Sequence, residues 1–76
     1  MQPFDRITFS PDRMGGRPCI RDLRVTVGMI VGQIGEGSSI DDLLMDYPYL
    51  EREDVLQALR FAAWRASERE LPLAAV

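Results

Sequence analysis

Ser39-Ile40-Asp41-Asp42-Leu43-Leu44-Met45-Asp46-Tyr47-Pro48-Tyr49-Leu50-Glu51-Arg52-Glu53-Asp54-Val55 is the stretch that decides the fold. Ser39 is placed to cap a helix, and Asp42, three residues on, stands in a capping-box-like position. Ile40, Leu43, Leu44 and Tyr47 form the apolar stripe of that helix, and Pro48 stops it. The turn Pro48-Tyr49-Leu50 leads into a further helix predicted from about Glu51 to Glu70. Its early carboxylates, Glu51, Glu53 and Asp54, suit the positive end of the helix dipole. Two helices joined by so short a turn are the outline of a helix-turn-helix unit. Many three-helix bundles that never touch nucleic acid share that outline.

Working outward, Val27, Ile30, Val31 and Ile34 recur at helical spacing and predict another helix upstream. Thr26 is its expected N-cap, and Gly35-Glu36-Gly37 ends it. Gly28 and Gly32, four apart, each weaken that helix by about 1 kcal/mol relative to alanine. They mark either close approach of another backbone or a helix held by packing despite poor propensity. Residues 1–26 read as an extended arm. Ile7-Thr8-Phe9 and Leu23-Arg24-Val25-Thr26-Val27 are short, β-branched and alternating, with Cys19-Ile20 as a third piece. Pro11, Gly15-Gly16 and Pro18 make the connection between them turn-rich. The expected architecture is one domain over residues 1–76, mainly α. It comprises a β arm (1–26), a three-helix unit (27–70) and an apolar tail (71–76).

Composition narrows the function. The 76 residues contain no histidine, which excludes Ser-His-Asp and Cys-His nucleophile activation. A single cysteine forms no intramolecular disulfide and no thiolate cluster, so a reducing compartment is expected, and no metal site or cofactor. The opening Met1-Gln2-Pro3-Phe4-Asp5-Arg6 is unlike a signal peptide, and no apolar run approaches the roughly 20 residues that span a bilayer. A cytoplasmic, membrane-free protein is the expectation. Asp41, Asp42, Asp46 and Asp54 are the one carboxylate group to weigh as a nuclease-like metal site. Asp42 and Asp46, spaced by one helical turn, are more simply a solvated face. A chain this short rarely builds a catalytic pocket alone, and small domains without disulfides or metals often lean on oligomerisation. A binding or regulatory module, not an enzyme, is expected.

Placed at helical spacing, the last helix sorts into two faces. Val55, Leu56, Leu59, Ala62, Ala63 and Ala66 are expected to face the core. Asp54, Gln57, Phe61, Trp64, Arg65 and Glu68 are expected on the wet side. Two large aromatics there make Phe61, Trp64 and Arg65 candidates for a partner or dimer interface, in which such residues serve as anchors. The competing reading is that the amino-terminal arm folds over them. The tail Leu71-Pro72-Leu73-Ala74-Ala75-Val76 adds Leu71 and Leu73 as further interface candidates.

The net charge of −3 is unevenly spread, and every basic residue is arginine. The first 24 residues carry five arginines against three aspartates, +2; residues 36–54 carry seven acids against Arg52, −6. An acidic start to the last helix repels phosphate and disfavours major-groove reading by that helix. Arg13, Arg17, Arg21 and Arg24 are therefore the candidate nucleic-acid contacts, from a dimer that doubles them. The structural alternative is that these arginines form salt bridges to the acidic second helix and tie arm to bundle.

The run Gly15-Gly16-Arg17-Pro18-Cys19-Ile20-Arg21-Asp22-Leu23-Arg24-Val25-Thr26-Val27 resembles the G-G-x-P-x-I-R-G-T-R-[IV]-x-V stretch of domain-of-unknown-function family 433, small prokaryotic proteins. The resemblance continues through Gly35 to Leu44, Asp46 to Leu50 and Glu53 to Leu59, and covers about residues 4–66. Two positions depart from the family pattern. Asp22-Leu23 stands where Gly-Thr is usual, and Asp accepts a left-handed conformation less readily than Gly. Glu51 stands where many members have a capping Thr or Ser.

The resemblance implies a homeodomain-like, winged-type helix-turn-helix fold with a β arm. It also implies an antitoxin role in a type II toxin–antitoxin pair. Such a protein binds and neutralises a PIN-like ribonuclease toxin, and many also repress their own operon as a dimer. No catalytic residue carries over. The alternative is a homo-oligomeric adaptor module without DNA binding.

Overall fold

Thr26 Oγ1 accepts the Met29 N–H at 3.0 Å and so starts the first helix, α1 (Val27–Gly35). At its other end Gly37 N–H donates to the Ile34 carbonyl and Ser38 N–H to the Gln33 carbonyl, both at 3.0 Å. This paired closure needs a left-handed residue, which Gly37 supplies at φ 109°. In the computed structural model, which describes residues 4–9, 12 and 14–68, two more helices follow, α2 (Ile40–Asp46) and α3 (Arg52–Glu68). Ser39 and Asp42 form the expected capping box, each side chain accepting the other's backbone N–H at 3.0 Å. At the start of α3 the cap is half a box. Asp54 Oδ2 accepts the Glu51 N–H at 2.8 Å, with Glu51 where a hydroxyl side chain is usual.

The arm is shorter in regular structure than its composition predicts. Strands β1 (Ile7–Thr8) and β2 (Cys19–Ile20) pair antiparallel, Ile7 opposite Ile20 and Thr8 opposite Cys19. A 3-10 turn, Met14–Gly16, lies between them. The predicted strand over Leu23–Val27 does not form; it keeps one bridge, Thr26 to Cys19. The reason is a tight reversal directly after β2. Arg21 and Asp22 take φ of 45° and 62°, and Leu23 N–H donates to the Ile20 carbonyl at 2.7 Å, the pattern of a type I′ turn. Aspartate therefore does occupy the left-handed position where glycine was expected, and its N–H donates to Thr8 Oγ1 at 3.1 Å.

The core joins all parts: Ile7 and Ile20 from the strands, Val25, Val27 and Ile30, Leu43 and Leu50, and Val55, Ala58 and Phe61 from α3. The architecture is a mainly helical three-helix bundle with a short β arm, and α1 packs chiefly on α3. Gln33 Nε2 donates to Tyr47 Oη at 3.0 Å and ties α1 to the end of α2. Among the described residues nothing brings another backbone close to Gly28 or Gly32. A Cβ at Gly32 would meet nothing within 4 Å, and one at Gly28 only Thr26 Oγ1 at 3.8 Å. None of the helices described is long and apolar enough to cross a membrane.

The wet and dry sides of α3 differ from expectation. Asp54, Gln57 and Phe61 do share a face, but that face is buried, while Ala63 and Ala66 are exposed. The amino-terminal arm covers it. Of the residues expected on the wet side, Asp54, Gln57 and Phe61 are buried, whereas Trp64 and Arg65 are exposed as expected; Val55, expected in the core, is buried.

Candidate functional site

Two features meet where the arm crosses α3: a polar clasp and an aromatic cleft. Asp54 is the centre of the clasp, with none of its side chain exposed. Arg21 donates Nε–H to Oδ1 at 3.0 Å and Nη2–H to Oδ2 at 2.7 Å, and Arg6 Nη1 donates to Oδ1 at 2.9 Å. The Glu51 N–H completes the set. Burial alone pushes the Asp54 carboxyl upward; the hydrogen bonds from Arg21, the Glu51 backbone and Arg6 outweigh it and hold the carboxyl at about 2. Hydrogen bonds to the Glu51 and Asp54 carboxylates raise Arg6, and those to Asp54 raise Arg21, above the ordinary guanidinium value. Arg6 also reaches Glu51 at 2.6 Å, and Arg21 Nη2 donates to the Tyr49 carbonyl at 3.1 Å. Gln57 extends the clasp. Its Oε1 accepts the Arg6 N–H at 3.0 Å and its Nε2 donates to Asp5 Oδ1 at 2.7 Å.

Beside the clasp the arm lays Phe4 against α3. Phe4 meets Phe61 edge-on, with ring centroids 5.3 Å apart, and Trp64 at 5.9 Å. Phe9 lies 6.1 Å from Phe61, and Phe61 lies 5.8 Å from Trp64. Phe61 is thereby enclosed, 5% exposed, whereas Trp64 stays 39% and Phe9 58% exposed. These rings, Ile7 and Arg65 line an open cleft of about 290 Å³. The Arg65 guanidinium sits 5.7 Å from the Phe61 ring centroid.

Of the interface candidates, the structure thus brings Phe61, Trp64 and Arg65 together, with Phe61 buried beneath the arm rather than presented to solvent. Leu71 and Leu73 lie outside the described residues, as does Arg13. The three other candidate arginines separate by environment. Arg21 is engaged by Asp54 and the Tyr49 carbonyl. Arg17 and Arg24 are exposed and, among the described residues, have no carboxylate partner. Arm does bind to bundle through arginine salt bridges, but at the start of α3 rather than at α2. Of the acids in α2, Asp41 pairs with Arg52; Asp42 caps its own helix. Asp46 is exposed. Among the described residues no His, Cys, Asp or Glu group is arranged to hold a metal.

Asp54, Gln57 and Arg6 were missed as a clasp because their partners across it lie 33 to 52 residues away along the chain. A signal was nonetheless present: two acceptor-bearing polar residues on the same α3 face as Phe61, in a chain with an arginine-rich arm. Phe4 and Phe9 carried no signal of their own.

The comparisons with known proteins place this site in context. A family model described as "Protein of unknown function (DUF433)" matches residues 7–62, from β1 to Ala62 in α3. An uncharacterised protein of Sinorhizobium fredii, y4eO, is 34% identical over 56 residues, which is 74% of this chain and 25% of that protein. The crystal structure of a DUF433 member protein from Anabaena variabilis is similar, with a TM-score of 0.78 at 28% identity. It covers 83% of this chain and 62% of that one. The chain therefore spans a quarter of the curated relative and under two thirds of the crystallised one.

Proposed function

The chain belongs to the DUF433 family, and from that premise we propose that it is a protein-binding module of antitoxin type: it binds and neutralises a PIN-like ribonuclease toxin and, as a dimer, represses its own operon. The observation that carries this reading is the aromatic cleft. A small chain that leaves Trp64 and Phe9 partly open to water beside one arginine has the composition of an interface centre. The exposed acids Glu36, Asp42 and Asp46 offer a second contact to a basic, phosphate-binding nuclease surface.

Operator contact, on this reading, uses the arm. The first turn of α3 carries Glu53 and Asp54 and is closed by the clasp, so it is not the element that meets phosphate. Arg17 and Arg24 are the described arm arginines with their guanidinium groups uncommitted to a carboxylate. The engagement of Arg21 by Asp54 favours a second reading, a homo-oligomeric adaptor without DNA binding, because it removes one of the candidate contacts.

Co-expression with the product of the adjacent gene tests the proposal. A co-purifying complex together with rescue of growth is the expected result, and absence of both overturns it. Gel-shift titration of the upstream promoter at several salt concentrations separates the two readings, because phosphate contacts make binding weaken steeply with salt.

A further inference from the structure

Arg65 differs from the arginines that tie arm and helices together. Arg6, Arg21, Arg52 and Arg60 each have a carboxylate partner, Arg60 through Glu53 at 2.5 Å, whereas Arg65 has none among the described residues. Phe61 holds its guanidinium at the cleft by a cation–π contact, and the planar N–H fork, open to solvent, has no protein acceptor among the described residues. Among the described residues, the other side chains lining the cleft are apolar: Phe4, Ile7, Phe9, Phe61 and Trp64. An oriented fork over an apolar slot recognises a carboxylate attached to an apolar group, and its charge discriminates against a basic one.

We propose that the cleft receives a segment of a partner protein in which a large apolar side chain stands beside an Asp or Glu. The apolar group fills the cleft, and the carboxylate pairs with Arg65. This deepens, and rests on, the reading of the chain as a protein-binding module. It names the recognition chemistry of that surface.

The test uses the whole chain, ¹⁵N-labelled, with 3-phenylpropionate as probe and 3-phenylpropionamide as its uncharged counterpart, read at the Trp64 indole N–H resonance. The expected result is a saturable shift with the carboxylate binding about threefold to fivefold tighter than the amide, the advantage of one surface ion pair. Arg65→Gln makes the two probes equal while leaving the thermal midpoint unchanged. Equal affinities in the unaltered chain, or no saturable shift, overturn the proposal. So does a Trp64 resonance that moves with protein concentration alone, which assigns the cleft to a second copy. A resonance that moves when residues 70–76 are deleted assigns it to the chain's own Glu70-Leu71 segment and likewise overturns it. Because the probe assay needs no toxin, failure of the toxin to co-purify leaves the cleft chemistry standing. Probe failure leaves the toxin result standing.

Discussion

Arg21 meets Asp54 through two parallel hydrogen bonds, Nε–H to Oδ1 at 3.0 Å and Nη2–H to Oδ2 at 2.7 Å, across 33 residues of sequence. The contact depends on backbone geometry at its arginine end. Arg21 sits at φ 45° in the reversal after β2. A left-handed conformation is unfavourable for a residue with a Cβ. The two charge-assisted hydrogen bonds to a buried carboxylate offset that cost. They also connect the tight turn to the first turn of α3, so the arm is held where Phe4 covers Phe61.

Removing the carboxylate is expected to cost more than removing either arginine. Asp54→Ala removes in one step the acceptor of three arginine hydrogen bonds and of the Glu51 N–H, and should lose about 3 kcal/mol of stability. Arg21→Ala keeps the Arg6 contact and should lose about 1.5 kcal/mol. Urea denaturation of both variants checks the order; equal losses would show that the clasp is not centred on Asp54.

The clasp also fixes an acid limit. Asp54 titrates at about 2 in the folded chain against an ordinary value of 3.8. A depressed folded value means that its stabilisation is complete above 3.8 and is lost as pH falls from there through about 2. Thermal midpoints followed between about pH 4 and about pH 2 should fall more steeply for the native chain than for Arg21→Ala, whose Asp54 is less depressed.

Phe61 and Trp64, grouped together by helical spacing, should separate on substitution. Phe61→Ala removes a ring that is 5% exposed and should cost about 3 kcal/mol or more. Trp64→Ala, at 39% exposure, should cost about 1 kcal/mol and instead abolish partner binding. Thermal melts paired with the co-purification assay measure both effects.

Gly32 and Gly37 should respond in opposite directions. A Cβ at Gly32 meets nothing within 4 Å, so Gly32→Ala should stabilise α1 by about 1 kcal/mol. Gly37 stands at φ 109°, so Gly37→Ala should destabilise by about 1 kcal/mol or more despite equally open space. A Gly32→Ala chain that is more stable yet loses its partner would place another molecule's backbone against α1.

Much of the framework was legible because its signals are local. Thr26, the Ser39–Asp42 box, Gly37 and Pro48 act within a few residues of where they stand, and they set the helix boundaries. The site was legible only in part. Trp64 and Arg65 were found at the cleft, but Phe4 and Phe9 came to it from the arm. The strand expected over Leu23–Val27 shrinks to one bridge, Cys19 to Thr26, made by Ile20 N–H to the Val25 carbonyl and Val27 N–H to the Pro18 carbonyl, because the reversal at Arg21-Asp22 takes up the residues before it and α1 begins at Val27.

By itself the sequence determined three helices, their caps, a β-prone arm and an arginine-only basic set, since each follows from propensity and short-range hydrogen bonding. Tertiary structure decided which face of α3 is dry. Asp54 and Gln57 look like surface residues until Arg6, Arg21 and Asp5 arrive with the complementary donors and acceptors. A buried carboxylate is tolerated only with its partners in place. Those partners are set by the path of the chain, not by the residues beside it.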